Sequence, residues 1–176
     1  IAAAVAGGEV RLDNVRPDHL DSLVWKLRET GTEACGGPDS LYISRRGPLS
    51  AVNVQALPYP GFATDLQAAF GVLLTLAEGV SIIHERVYDN RLLYVKELRK
   101  MGARVAVNGQ TAVIKGPCKL KGTCVRALDI RSGAALMLAG LAAQGTSQIE
   151  DIQHLDRGYE GIDENLRALG ARVERE

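Results

Sequence analysis

The chain has 176 residues, and its 21 basic and 21 acidic side chains give a formal net charge of zero at pH 7. This balance argues against a basic surface for nucleic acid, and no segment approaches the roughly 20 apolar residues that cross a bilayer. The length suffices for one domain with a substantial core, and we expect neither a nucleic-acid partner nor a membrane partner.

Three cysteines, Cys35, Cys118 and Cys124, have neither the spacing of a zinc site nor that of a disulfide framework. We interpret them as buried free thiols without a redox or catalytic role. This cysteine usage suits a reducing compartment, and we expect a cytoplasmic protein that holds no metal and no cofactor.

An internal repeat of about 70 residues organises the chain, and a period of this kind sets the architecture. Each copy has a strand-like segment followed by a helix-like run. A glycine ends each of these runs, where a left-handed residue commonly closes a helix. The closing glycines are Gly31, Gly102 and Gly170.

In the first copy the apolar pattern predicts a strand at 10–15 and a helix that Asp18 caps. The run Gly-Gly-Pro-Asp at 36–39 predicts the turn before a strand at 40–44. A further strand is predicted at 52–57.

In the second copy a predicted helix with apolar residues at helical spacing ends at Gly102, and Asn108-Gly109 predicts a hairpin turn. The third copy has a helix pattern at Ile162 and Leu166. The strands predicted for these two copies are 80–87, 103–107, 111–114, 123–128 and 147–152.

Two further helices, at 65–78 and 131–144, are rich in Ala and Leu on nearly all sides, which predicts that they are buried. The fold class is therefore α/β (α+β) with a repeated β-α-β-β-β-α unit. Residues 1–6 resemble the tail of such a buried helix, and 172–176 open a hairpin. We expect one incomplete domain over 1–176, excised from a longer protein; a natural domain with frayed ends is the alternative.

The copies differ where the two buried helices begin. A loop rich in proline and glycine brings Thr64 and Asp65 to one helix N-terminus, and either residue could simply cap that helix. Aligned from their ends, the two helices place Asp65 and Arg131 at equivalent points. Because an arginine at a helix N-terminus opposes the helix dipole, its position predicts an anionic ligand.

Two further arginines, Arg91 and Arg157, lie between the strand and the helix of their copies, each near an acid. Surface ion pairs are the simpler interpretation. Since a pseudo-symmetric array gathers equivalent ends on one face, we predict that Arg91, Arg131 and Arg157 form a cationic mouth that includes Asp65. Guanidinium forks suit carboxylate and phosphate oxygens.

Four segments resemble the enolpyruvyl transferase family, and the similarity runs over essentially the whole chain. The likeness is to the members that act on UDP-N-acetylglucosamine, which the last segment favours. The segments are PGFATDLQ at 60–67, DNR at 89–91, ALDIR at 127–131 and HLDRGYE at 154–160.

The resemblance implies a fold of βαβαββ-type units arranged as an inside-out barrel, with helices inside and sheets outside. It also implies that this chain is the C-terminal part of a discontinuous domain. The missing N-terminal domain of the same enzyme would carry the reactive cysteine that fosfomycin targets. None of the three cysteines here matches the motif of that cysteine.

The chemistry that the resemblance implies is enolpyruvyl transfer from phosphoenolpyruvate to the 3-hydroxyl of UDP-N-acetylglucosamine, the first committed step of peptidoglycan synthesis. Asp65 matches the general base, Asp129 an acid near the substrate carbon, and Val87 a backbone contact to the nucleotide sugar. The resemblance also implies a set of residues that bind the phosphoenolpyruvate anion or organise the closed site: Thr64, Arg91, Arg131 and Arg157.

Two other functions stay open. A relative that transfers enolpyruvyl to shikimate 3-phosphate shares the repeat, and an isolated domain could fold without any activity. We expect the chain alone to be inactive, because the other wall of the cleft is missing. One departure from the family lies in the site: Ala63 stands where the family usually has proline.

Overall fold

A computed structural model describes residues 1–175 as a mixed α/β fold. A short 3-10 helix, Pro17–Leu20, precedes the second α-helix. The elements in chain order are α1 (Ala2–Ala6), β1 (Glu9–Asp13), α2 (Asp21–Glu29), β2 (Glu33–Gly36), β3 (Ser40–Ser44), β4 (Leu49–Ser50), β5 (Val54–Ala56), α3 (Thr64–Thr75), β6 (Ala77–Glu85), α4 (Val95–Lys100), β7 (Val105–Asn108), β8 (Thr111–Gly116), β9 (Cys124–Arg126), α5 (Ile130–Ala142), β10 (Gln148–Glu150), α6 (Gln153–Asp156) and α7 (Ile162–Ala168).

The strands form three sheets that follow the repeat. The first sheet has the antiparallel order β1-β3-β2; the second contains β4 and β5 parallel to β6, followed by β8 and β7; and the third pairs β9 with β10 in parallel. In each complete crossover, the strand before a buried helix pairs in parallel with the first strand of the next copy. The crossover through α3 thus pairs Val54 with Ile83 on adjacent strands, and the crossover through α5 pairs Val125 with Ile149.

Three helices, α1, α3 and α5, pack against one another, and the sheets lie outside them. Phe70 and Leu73 of α3 and Leu136 of α5 are completely buried, which explains the all-round apolar character of these segments. The last turn of α5 is only half-buried. The predicted fold class with interior helices is therefore confirmed.

The glycine that closes each repeated helix has the predicted left-handed backbone. The φ angles are 87° at Gly31, 94° at Gly102 and 95° at Gly170. In the first copy the Gly31 amide donates to the Arg28 carbonyl, and the next amide donates to the Leu27 carbonyl at 3.1 Å. The other two copies repeat this pattern, which satisfies carbonyls that a helix end leaves free.

Some local predictions were wrong. Asp18 lies in the 3-10 helix and pairs with Arg16, whereas Leu20 precedes α2 without a side-chain cap. The hairpin turn lies at Gly109-Gln110, one residue later than predicted, because Asn108 pairs with Thr111. The helix predicted at 65–78 ends at Thr75, since β6 already begins at Ala77. Residues 171–175 form no strand, and Glu176 lies outside the described residues.

The cysteine prediction was partly wrong. Cys118 is buried, but Cys35 and Cys124 are exposed on strands β2 and β9. Within residues 1–175, no group of three or more His, Cys, Asp or Glu side chains is placed to hold a metal ion. The same part of the chain contains no helix with the length and apolar character that a membrane crossing requires.

Candidate active site

The first element of the site is the start of α3. A tight loop precedes it, in which the Leu57 amide donates to the Phe62 carbonyl and the Gly61 amide donates to the Pro58 carbonyl. A Cβ atom at Gly61 would lie 2.9 Å from that Pro58 oxygen, so glycine is needed there. The N-cap position is Ala63, which offers no side-chain hydrogen bond.

Neither Thr64 nor Asp65 caps α3. The Thr64 hydroxyl donates instead to the Glu85 carboxylate at 2.7 Å, which directs it away from the free amides of its own helix. Asp65 extends toward other elements, and its side chain is 69% exposed. The simple capping interpretation of these two residues is therefore wrong.

Asp65, in the first copy of the repeat, accepts hydrogen bonds from two arginines of the second copy. Its Oδ1 atom lies 3.0 Å from a terminal nitrogen of Arg91 and 3.3 Å from a terminal nitrogen of Arg131. The Arg91 side chain is only 14% exposed and that of Arg131 27%. An exposed carboxylate thus lies on two partly buried guanidinium groups.

The loop between β6 and α4 holds Arg91. Its guanidinium lies over the ring of Tyr88, with 4.6 Å between the guanidinium carbon and the ring centre. Asn90 has a left-handed backbone with φ 60°, a conformation that asparagine tolerates. Gln110, at the tip of the β7–β8 hairpin, donates to Asp89. These contacts fix the approach of the Arg91 side chain to Asp65.

The start of α5 is a capping box. Asp129 is the N-cap, and its carboxylate accepts from the Ser132 amide at 2.7 Å, while the Ser132 hydroxyl accepts from the Asp129 amide at 2.8 Å. Arg131 donates to the other Asp129 oxygen at 2.9 Å. Burial raises the pKa of Asp129, but the Ser132 amide and Arg131 outweigh it and hold that pKa below its usual range.

Arg131 lies between two carboxylates, which offset its unfavourable position at a helix N-terminus. Burial lowers the pKa of Arg131, but the bonds to Asp129 and Asp65 raise it above its usual value, so the guanidinium stays charged. Its Nε atom is buried and has no hydrogen-bond partner within residues 1–175. Leaving a buried donor without a partner costs about 1–3 kcal/mol.

The segment with Arg157 covers the first turn of α5. Leu155 of α6 packs against Gly133, and Gly158 lies so close to Ile130 that a side chain there would clash. Arg157 follows α6, is exposed, and makes no side-chain hydrogen bond or ion pair within the described part of the chain. The structure thus brings Arg91 and Arg131 to Asp65, whereas Arg157 lies on the neighbouring segment without contacting it.

Three residues near Asp65 were missed by the sequence analysis: Glu85, Tyr88 and Tyr159. Burial and, to a smaller extent, the charge of Asp65 raise the pKa of the Tyr159 hydroxyl. A signal for Glu85 existed, because Ser81, Ile83 and Glu85 alternate on the buried face of β6. The Val87 amide is already engaged, donating to Glu85 at 2.8 Å.

Comparison with known proteins identifies the family. Residues 1–166 match the family described as EPSP synthase (3-phosphoshikimate 1-carboxyvinyltransferase). The chain belongs to the EPSP synthase family. Within this family it is 49% identical over 173 residues to UDP-N-acetylglucosamine 1-carboxyvinyltransferase 3 of Caldanaerobacter subterraneus subsp. tengcongensis. It is 46% identical over 173 residues to the UDP-N-acetylglucosamine 1-carboxyvinyltransferase of Desulfofundulus thermocisternus.

The alignments cover nearly all of this chain but not all of its relatives. They include 98% of the chain in both cases, 42% of the Caldanaerobacter protein and 71% of the Desulfofundulus protein. The chain thus spans less than half the length of the first of these family members.

Solved structures of the family agree with the fold. The enolpyruvyl transferase NikO of Streptomyces tendae matches with a TM-score of 0.86 and 30% identity, over 97% of this chain and 42% of that one. An EPSP synthase of Acinetobacter baumannii matches with a TM-score of 0.70 and 18% identity, over 99% of this chain and 42% of that one. The second likeness concerns the fold alone.

Proposed function

We propose that the chain supplies one wall of the active site of an enzyme that transfers enolpyruvyl from phosphoenolpyruvate to the 3-hydroxyl of UDP-N-acetylglucosamine, the first committed step of peptidoglycan synthesis. The proposal rests on the contacts of the Asp65 carboxylate. It does not cap its own helix but forms ion pairs with Arg91 and Arg131. The names of relatives at 46–49% identity support the acceptor.

Asp65 is the proposed general base. In the addition step the proton of the sugar hydroxyl passes to Asp65, the hydroxyl oxygen bonds to C2 of phosphoenolpyruvate, and C3 takes a proton from water. In the elimination step C3 gives a proton to water, the bond between C2 and the phosphate oxygen breaks, and phosphate leaves, so the product is the enolpyruvyl ether. An exposed carboxylate that is held by arginines on one side has its remaining acceptor positions free for the sugar hydroxyl.

The arginines are the proposed anion holders. Phosphoenolpyruvate carries a carboxylate and a phosphate, both of which suit guanidinium donors. Arg131 contributes a buried Nε atom without a partner in residues 1–175, and Arg157 contributes a side chain that makes no polar contact there. We place Thr64 beside this anion and Asp129 near the substrate carbon, where its hydrogen bond orients Arg131.

The other wall is proposed to come from polypeptide beyond residues 1–176. The chain spans 42% of the Caldanaerobacter relative, so one domain that is completed elsewhere in the full-length protein fits the alignment. Val87 would contact the nucleotide sugar through its carbonyl, since its amide donates to Glu85. The three free thiols suit a reducing compartment, and we propose the cytoplasm.

The test is turnover by the full-length enzyme that carries this chain. Phosphate release from phosphoenolpyruvate is measured with UDP-N-acetylglucosamine, with shikimate 3-phosphate, and without an acceptor. We expect release only with the nucleotide sugar. Release only with shikimate 3-phosphate would overturn the acceptor, and no release with either would overturn the transferase proposal.

A further inference from the structure

Glu85, at the end of β6, is a buried carboxylate beneath the site. The residue is only 1% exposed, although glutamate is rarely buried unless its oxygens have partners. Oε2 accepts from the Thr64 hydroxyl at 2.7 Å. Oε1 accepts from the backbone amides of Val87 at 2.8 Å and Tyr88 at 3.2 Å. Each oxygen therefore serves a different element of the site.

These bonds complete a closed ring of contacts that includes Asp65. On one side Glu85 holds Thr64, whose chain neighbour is Asp65. On the other side Glu85 holds the amide of Tyr88, whose ring supports Arg91, and Arg91 donates to Asp65 at 3.0 Å. The start of α3 and the β6–α4 loop thus meet twice, at Glu85 inside the protein and at Asp65 on its surface.

We propose that Glu85 is a positioning residue that fixes the distance between Asp65 and Arg91. This inference rests on the proposed transferase function and adds a residue that touches no substrate. A carboxylate suits the position because it accepts on both oxygens and donates on neither. Without it, one hydroxyl and two amides would lose their acceptor in a partly buried place, and both elements would shift to recover hydrogen bonds.

Truncation of Glu85 tests the proposal in the full-length enzyme. Glu85→Ala should lower kcat by about 10- to 100-fold, because a misplacement of about 1 Å costs that much in a positioned site. Glu85→Gln should recover most of the rate, since its oxygen still accepts from the two amides and its nitrogen can donate to Thr64. If Glu85→Gln folds and is as slow as Glu85→Ala, positioning is contradicted.

A second variant separates positioning from a general loss of packing. Glu97 is also a buried carboxylate, 7% exposed, and it accepts from the Arg126 amide at 2.9 Å, away from Asp65. Glu97→Ala should destabilise the protein and leave kcat within about threefold of wild type below the unfolding temperature. Equal losses of kcat in the two alanine variants would overturn the proposal.

A double substitution tests the proposed connection to α3. Thr64→Val should lower kcat by itself, and its further effect in the Glu85→Ala variant should be smaller than in the wild type, because the shared bond is already lost. Multiplicative losses would show that Glu85 does not act through Thr64. If the wild-type enzyme releases no phosphate with either acceptor, the transferase proposal fails and this inference fails with it.

Discussion

The Asp65 carboxylate and the Arg131 guanidinium lie 3.3 Å apart, and each is the second residue of its own buried helix. The internal repeat places them at equivalent positions, but their charges are opposite. Arg131 is unfavourable at a helix N-terminus until carboxylates accompany it. Asp65 therefore lies where a negative group is needed, and the anion of a substrate would compete for the same donors.

This competition predicts how the chain binds inorganic phosphate. Asp65→Asn should raise the phosphate affinity by about 1.4- to fivefold, because exposed ion pairs of this kind contribute ~0.2–1 kcal/mol. Arg131→Ala should lower the affinity. The measurement is a titration of the 176-residue chain with phosphate, followed by NMR chemical shifts near α3 and α5.

The matched control for this titration is Arg126→Ala. Arg126 is an exposed arginine that pairs with Glu150 and Asp151, away from Asp65. It should leave phosphate binding unchanged at constant ionic strength. If Arg126→Ala weakens phosphate binding as much as Arg131→Ala, phosphate responds only to the overall charge of the chain. The predicted phosphate site at the N-termini of α3 and α5 would then be wrong.

Asp129 should stabilise the chain through its capping box. Asp129→Ala should lower the free energy of unfolding by about 1 kcal/mol at neutral pH, as the loss of an N-cap usually does. The folded-state pKa of Asp129 is lowered, so its contribution is full above the unfolded-state pKa of about 3.9 and disappears as pH falls through the folded-state value. Urea denaturation at several pH values measures both effects.

Asp18→Ala is the comparison for that experiment. Asp18 pairs with the neighbouring Arg16 on the surface, so its removal should change the stability little. A stability difference between wild type and Asp129→Ala that stays constant down to the most acidic pH would contradict the role of the ionised cap.

Two glycines of α5 should respond oppositely to alanine. A Cβ atom at Gly133 would lie 2.9 Å from Leu155 Cγ, so Gly133→Ala should destabilise the chain by about 1–3 kcal/mol through overpacking. A Cβ atom at Gly140 has no contact closer than 3.4 Å, so Gly140→Ala should stabilise by about 0.4–1 kcal/mol. Thermal unfolding of both variants checks this, and equal shifts would show that Leu155 does not pack as described.

Because of the repeat, the N-termini of the two buried helices could be predicted from the sequence. Gly31, Gly102 and Gly170 mark equivalent helix ends, and counting back along the two apolar helices aligns Asp65 with Arg131. Helical periodicity and the Ala-rich composition were enough to predict that these helices are interior. These features depend on local sequence, which is why they could be read without the structure.

Contacts between distant elements could not be predicted in this way. The same residue types at a helix start, Thr64 and Asp65, are good caps, and only tertiary contacts with Glu85 and Arg91 draw them elsewhere. Asp18 likewise has a capping residue type, but the 3-10 turn moves the start of α2 beyond it. Cys35 and Cys124 are exposed because of which face of their strands they occupy, which their residue type does not determine.

The measurement that tests the account most directly is the rate of phosphate release by the full-length enzyme with Asp65→Asn, in the presence of UDP-N-acetylglucosamine. Asparagine keeps the size of the side chain but cannot take the proton of the sugar hydroxyl. We predict a loss of at least about 100-fold in kcat, as expected for a general base, and only a small decrease in unfolding temperature, because the ion pairs of the exposed Asp65 contribute ~0.2–1 kcal/mol and the residue caps no helix. An unchanged rate would remove Asp65 from the mechanism and contradict the proposed site.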